Sequence, residues 1–247
     1  MDKKAWGTAV LALACGPVFA AADIAGAVMP DGSVNARAMM VQQFDANAAY
    51  AQCYDRIKGV RQCAASSDKF TESGCVERIY SKDNPEVLVS ETTYMKGQKD
   101  GYELTYFEGG SLYKVMPYAK HKADGMSYEF NRSGHLVEIV PYFEGMRHGP
   151  AQGYYESGNL KYDANYALDR LDGIMSFYYD APNKVQAHII YSQGKRHGPA
   201  MFYDESGQLI YEVTFKDDKA IAGKCASGRN LKSSELQAVP AHTPKCQ

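Results

Sequence analysis

The chain has 247 residues, with 27 Lys plus Arg against 29 Asp plus Glu and a formal net charge of −2. A charged fraction of 23% beside a hydrophobic fraction of 45% excludes a disordered chain, and the balanced charge excludes a nucleic-acid partner held by a broad basic field. Tyr is over-used, 19 against one Trp and 9 Phe, which suits aromatic ladders on β-strands.

Residues 1–22 read as a signal peptide. Lys3 and Lys4 precede the uncharged run from Ala5 to Cys15, Gly16-Pro17 breaks it, and Ala20, Ala21 and Ala22 supply small residues for cleavage. The run falls short of the roughly 20 residues that cross a bilayer. The expectation is an exported chain, periplasmic or secreted. Ala12-Leu13-Ala14-Cys15 resembles a bacterial lipobox, so lipid anchoring through Cys15 is the alternative.

Residues 23–89 form an N-terminal helical, Cys-containing segment. Ser33 is a suitable N-cap, and Ala36, Met40, Phe44, Ala48, Ala51, Tyr54 and Ile57 make one apolar stripe that ends at Gly59. One N-terminal α-helix over 33–58 is expected, lying on an end or a face of the repeat region. With Cys15 removed or lipidated, five cysteines remain. Cys225 and Cys246 bound the polar tail 224–247 and are expected to form a disulfide, a closure worth roughly 3 kcal/mol. Two of Cys53, Cys63 and Cys75 then pair, and the sequence leaves open which.

From residue 90 to 223 the chain repeats itself. Gly stands at 101, 125, 149, 173 and 198, and five residues after each comes an aromatic: Tyr106, Phe130, Tyr154, Tyr178 and Tyr203. Four copies carry a turn glycine at Gly110, Gly134, Gly158 and Gly207, while the fourth copy has Ala181-Pro182-Asn183-Lys184 instead. Each copy closes on an aromatic: Tyr118, Tyr142, Tyr166, Tyr191 and Phe215. Tyr94 and Gly223 mark a half copy at either end. In the third copy Leu160, Tyr162, Ala164 and Tyr166 alternate with polar residues, so a copy reads as two strands and a turn, with the leading glycine marking the return turn. The fold class is mainly β: a single-layer antiparallel meander of 24-residue hairpin repeats. Pro117 and Pro141 are expected to interrupt pairing in the second strand of their copies.

This pattern of Gly, an aromatic five residues on, a Gly-x-Leu turn and a closing Tyr resembles the MORN repeat, in the bacterial variant found in proteins labelled as antitoxins. The resemblance covers a little over half the chain. It implies a curved single-layered sheet that binds partners and has no catalytic machinery, with neutralisation of a toxin as an alternative role.

Candidate sites emerge from the same columns. Arg147-His148-Gly149-Pro150 is echoed by Arg196-His197-Gly198-Pro199, but two copies separate them by roughly 20 Å at the spacing of strands, too far to share a metal ion. Return loops are cationic at Lys96, Lys99, Lys120, Lys122, Arg147, Arg170, Lys195 and Arg196, and the opposite turns carry Glu108, Glu156, Asp180, Asp204 and Glu205. Such an edge suits a charged partner or an anionic lipid surface. No nucleophile elbow, metalloprotease helix, Walker loop or dinucleotide fingerprint occurs, so no catalytic residue, metal or cofactor is assigned. The expected function is partner-protein binding, with Tyr106, Phe130, Tyr154, Tyr178, Tyr203, Arg147, His148, Arg196 and His197 as contact candidates. A membrane-surface lipoprotein is the other alternative.

Overall fold

The computed structural model describes residues 59–71, 73–239 and 244–246, of which Arg61 onward belong to one compact unit. The signal peptide and the helix expected over 33–58 lie outside the described residues. One open antiparallel sheet holds β1 (Cys75–Tyr80), β2 (Leu88–Met95), β3 (Gln98–Tyr106), β4 (Leu112–Ala119), β5 (Lys122–Ala123), β6 (Gly125–Phe130), β7 (Leu136–Phe143) and β8 (Met146–Arg147). It continues through β9 (Gly149–Tyr154), β10 (Leu160–Ala167), β11 (Arg170–Leu171), β12 (Gly173–Tyr178), β13 (Val185–Ser192), β14 (Lys195–Tyr203), β15 (Leu209–Lys216) and β16 (Lys219–Cys225). Sheet order is chain order, and the two-residue strands β5, β8 and β11 only extend hairpins of β4, β7 and β10. A 3-10 turn at Ser66–Phe70 precedes the sheet and a short helix α1, Ser233–Ala238, comes after it.

The sheet begins at Cys75, ahead of the boundary near residue 90 that the repeat suggested. β1 and β2 are an irregular copy that lacks a leading glycine and has a long connection, so only its closing Tyr94 was visible as a pattern.

Gly110, Gly134, Gly158 and Gly207 lie in turns as expected, but the leading glycines have a different job from the one expected. Return turns are the two-residue loops Lys96-Gly97, Lys120-His121, Glu144-Gly145, Leu168-Asp169, Gln193-Gly194 and Asp217-Asp218, each with φ positive at both positions, as a type I′ turn requires. The leading glycines lie further on, inside the sheet, at φ values such as 105° for Gly101 and 98° for Gly173. There the ladder is broken by a bulge: the N–H groups of Asp124, His148 and Asp172 donate to the carbonyls of Pro117, Pro141 and Asn165. Pro117 and Pro141 stay inside β4 and β7, paired with Tyr102 and Met126. On their other side they meet this bulge, where no ladder N–H is needed. Non-glycine residues in half of the return turns hid those turns from a search for glycine.

Register keeps equivalent residues in straight rows across the sheet. The upper-face row runs Arg78, Glu91, Leu104, Val115, Tyr128, Ile139, Gln152, Asp163, Ser176, His188, Met201, Glu212, Lys224. The lower-face row runs Ser90, Thr105, Lys114, Glu129, Glu138, Gly153, Tyr162, Phe177, Ala187, Phe202, Tyr211, Cys225. The two rows change character in opposite directions. Above, apolar residues in the first two copies give way to polar ones. Below, ion-paired residues give way to rings and aliphatics.

The apolar end of the lower face is closed by the C-terminal segment. Leu231, Val239 and Cys246 join Ala187, Ile189, Ala200, Tyr211, Val213, Phe215 and Cys225 in one core, with Leu236 of α1 packed against it. Cys225 is bonded to Cys246, and Cys63 to Cys75, which fixes the pairing that the sequence left open.

Leu168 carries two local costs at once: φ of 50° for a residue with a Cβ, and a side chain 53% exposed. Leu168→Asn should therefore raise stability by about 0.5–1 kcal/mol, read as a higher denaturant midpoint at unchanged slope.

Candidate functional site

The aromatic column five residues after the leading glycines lies on the upper face, and its rings reach inward to the central row. Tyr106 Oη donates to Glu91 at 2.6 Å, Tyr154 Oη to Gln152 at 2.9 Å, and Tyr178 Oη to Asp163 at 3.3 Å. Phe130 is buried, Tyr178 is 9% exposed, and Tyr203 meets the His188 ring edge-on at 5.8 Å. These rings are built into the sheet; they do not form a bare aromatic strip. Exposure falls instead on Ile174 (58%), Phe143 (53%) and Leu168 along the return-turn edge, and on Pro150, Asn165 and Pro199 beside the upper row.

Arg147 and Arg196 are tied into that edge. Arg147 lies 4.4 Å over the Tyr166 ring, and its Nε and backbone N–H both donate to Asp169 Oδ1 at 3.0 Å. Arg196 repeats this with Phe215 at 4.6 Å and Asp218. Each clamp joins the end of one copy to the return turn of the next. The backbone hydrogen bond from Arg147 leads the influences that hold the Asp169 carboxyl below its usual value. Gly and a side-chain acceptor alternate at the second turn position, Gly97, His121, Gly145, Asp169, Gly194 and Asp218, so the clamp recurs every second copy.

The histidines beside the arginines are exposed and stand apart in role. His148 meets Phe143 at 6.1 Å, and His197 Nδ1 lies 3.5 Å from Asp217. No cluster of three or more potential metal ligands occurs among the described residues. Half of the basic edge is neutralised from within, since Lys99 meets Glu103 at 2.7 Å, Lys122 meets Glu144 at 3.7 Å, and both arginines are clamped. Long-range steering of an anionic surface is correspondingly weakened.

A polar network that the repeat columns did not reveal occupies the upper row in copies three and four. Ser176 Oγ is 3.1 Å from His188 Nδ1, and Asp163 accepts from Tyr178. Ser, His and Asp are all present, but in cross-strand order Asp163, Ser176, His188. The serine stands between the other two, so no carboxylate orients the imidazole as a nucleophilic triad requires. These residues escaped notice because they vary from copy to copy: the column holding Asp163 and His188 holds Val115 and Ile139 earlier. Departure from the repeat was the available signal.

Comparison with known families agrees with the clamp pattern. A family model described as the MORN repeat variant matches residues 147–167 and 196–217. Both stretches start at a clamp arginine and run past the closing ring it covers, skipping the unclamped copy between them. No curated protein matches the chain. These two stretches are thus similar to the MORN repeat variant, and the matched description names no antitoxin.

Two outcomes test this geometry. Arg147→Ala should cost about 1 kcal/mol, and a double-mutant cycle with Asp169→Ala should show coupling rather than additivity. Burial pushes the His188 imidazole below its ordinary value, against an opposing pull from Asp163. The unfolded chain therefore takes up the proton first as pH falls. Stability should be level above about pH 6.5 and decline just below it, with His188→Gln removing that part of the decline in melts recorded at stepped pH.

Proposed function

We propose that this chain is an exported, non-catalytic repeat protein that docks another protein on the upper face of its third to fifth copies. The observation that carries this reading is the opposite grading of the two faces. Below, the fourth and fifth copies pack in one core with the chain's own tail; above, the stretch presents a polar row flanked by Tyr154 and Tyr203 and by the exposed Ile174, Pro150 and Pro199. Exposed apolar side chains around satisfied polar groups suit a moderate-affinity protein interface. The two disulfides are compatible with an oxidising compartment, which supports export as read from the N-terminal segment.

Chemical cross-linking of the chain in its native envelope, followed by purification, tests the reading. A defined partner should be captured by the wild type and lost with Ile174→Asp, a surface change that leaves melting unaltered. Equal capture by both would remove the upper face from consideration. Intact mass of the same sample identifies the N-terminus: cleavage after Ala20 or Ala22 fits plain secretion, and an acylated Cys15 fits anchoring.

A further inference from the structure

Charges on the strand faces follow a rule with two exceptions. In the two central rows, Glu91 is met by Arg78 at 2.7 Å, Glu129 by Lys114 at 2.6 Å and Glu212 by Lys224 at 3.2 Å. In each case the cation comes from the neighbouring strand at the paired position. Glu138 and Asp163 have no such cation at the paired position among the described residues; each accepts from a tyrosine hydroxyl, of Tyr162 and Tyr178 respectively, and Asp163 otherwise feels only the His188 imidazole, which burial holds toward its neutral form. A half-buried carboxylate without a counter-charge is costly. Glu138 is on the ion-paired half of the lower face, beside the Lys114–Glu129 pair. Asp163 stands in the polar stretch of the upper face, where its paired neighbours Gln152 and Ser176 are neutral.

The rest of the sheet shows what completes such a place. Twice, at Arg147–Tyr166–Asp169 and Arg196–Phe215–Asp218, a guanidinium lies over a ring and bonds a carboxylate. At Asp163 the carboxylate is present and aromatic neighbours are present: Tyr178 bonds it, and Tyr154 engages the adjoining Gln152. The cation alone is wanting. We propose that Asp163 is the seat for an arginine side chain of the partner protein, whose guanidinium pairs with the carboxylate and lies against the neighbouring tyrosines. This deepens, and rests on, the reading that the upper face docks a protein. Arginine suits the seat better than lysine because its planar fork both stacks on rings and bonds a carboxylate at two points.

The probe is Nα-acetyl-arginine amide, titrated into the full chain while NMR follows the tyrosine and His188 ring signals. A single side chain should bind in the millimolar range, with shifts centred on Tyr154, Tyr178 and His188. Nα-acetyl-citrulline amide, neutral and nearly isosteric, should leave those signals in place. Asp163→Asn should weaken arginine binding at least tenfold with unchanged melting, and Glu138→Gln should not weaken it. Gln152→Lys, which puts a cation opposite Asp163 as Lys224 stands opposite Glu212, should abolish it. Equal response to arginine and citrulline, or wild-type binding by Asp163→Asn, overturns the seat. If the cross-linked partner survives Asp163→Asn yet is lost with Ile174→Asp, the seat is wrong and the docking reading stands. If both variants keep the partner, the docking reading falls as well.

Discussion

A single-layered sheet has no second layer to pack against, so its shape depends on the backbone ladder and on the constancy of its register. Slipping one strand by one residue would send every side chain to the opposite face. The chain prevents this by repeating the same pair of devices, a type I′ return turn and a glycine bulge, in successive copies. The fourth copy tests the arrangement. Its extra residue falls in the turn at Ala181–Lys184, outside both strands, so Ser176 still pairs with His188 and the row continues unbroken. An insertion in a strand would have reversed the faces from there onward.

Constant register is what allows the two faces to differ along their length. Because each column keeps its place, exchanging Val115 and Ile139 for Asp163 and His188 changes one face without disturbing the other. Phe177, Phe202 and Tyr211 concentrate on the lower face at the C-terminal end, where Leu231, Leu236 and Val239 give them cover. Apolar surface is thereby spent on anchoring the tail, and the same copies keep a polar upper face. The character of each face is thus set by side-chain choice at positions whose backbone is already fixed.

The architecture was legible in the sequence because β-repeats impose coincident columns, and Gly101 to Gly198 with Tyr106 to Tyr203 gave the period directly. What the columns did could not be read so well. A glycine in a bulge and a glycine in a turn look alike, and Leu168-Asp169 gives no outward sign of a type I′ loop. The arginines stood out as a doublet, yet their role depends on Asp169 and Asp218, 22 residues further on, which approach them only after two strands have folded back. The period alone implied that the aromatic candidates share one face. Their hydroxyls contact Glu91, Gln152 and Asp163, whose columns change residue type from copy to copy. The seat at Asp163 is legible only as a missing partner, which requires knowing the cross-strand pairs.

The ends of the array expose the same constraint in its hardest form, because the outer edges of β1 and β16 have no further copy to pair with. Each is met by a short piece of chain. Val76 donates its N–H to Arg61 and accepts from Cys63, while the Cys225 N–H donates to the Arg229 carbonyl and the Gly223 carbonyl accepts from Leu231. Two or three such bonds contribute little net stability, of order 1 kcal/mol apiece, against the entropy of ordering the segment. Covalent closure changes that balance. Cys75 and Cys225, almost wholly buried in the terminal strands, each hold a cysteine of the covering segment, and both stand on the lower face. The helix expected at the N-terminal end was assigned this covering task from sequence; within the described residues it falls to the strip at Arg61–Cys63. With the edges met by tethered strips and the apolar end of the lower face closed by the tail, further pairing at the sheet ends is obstructed.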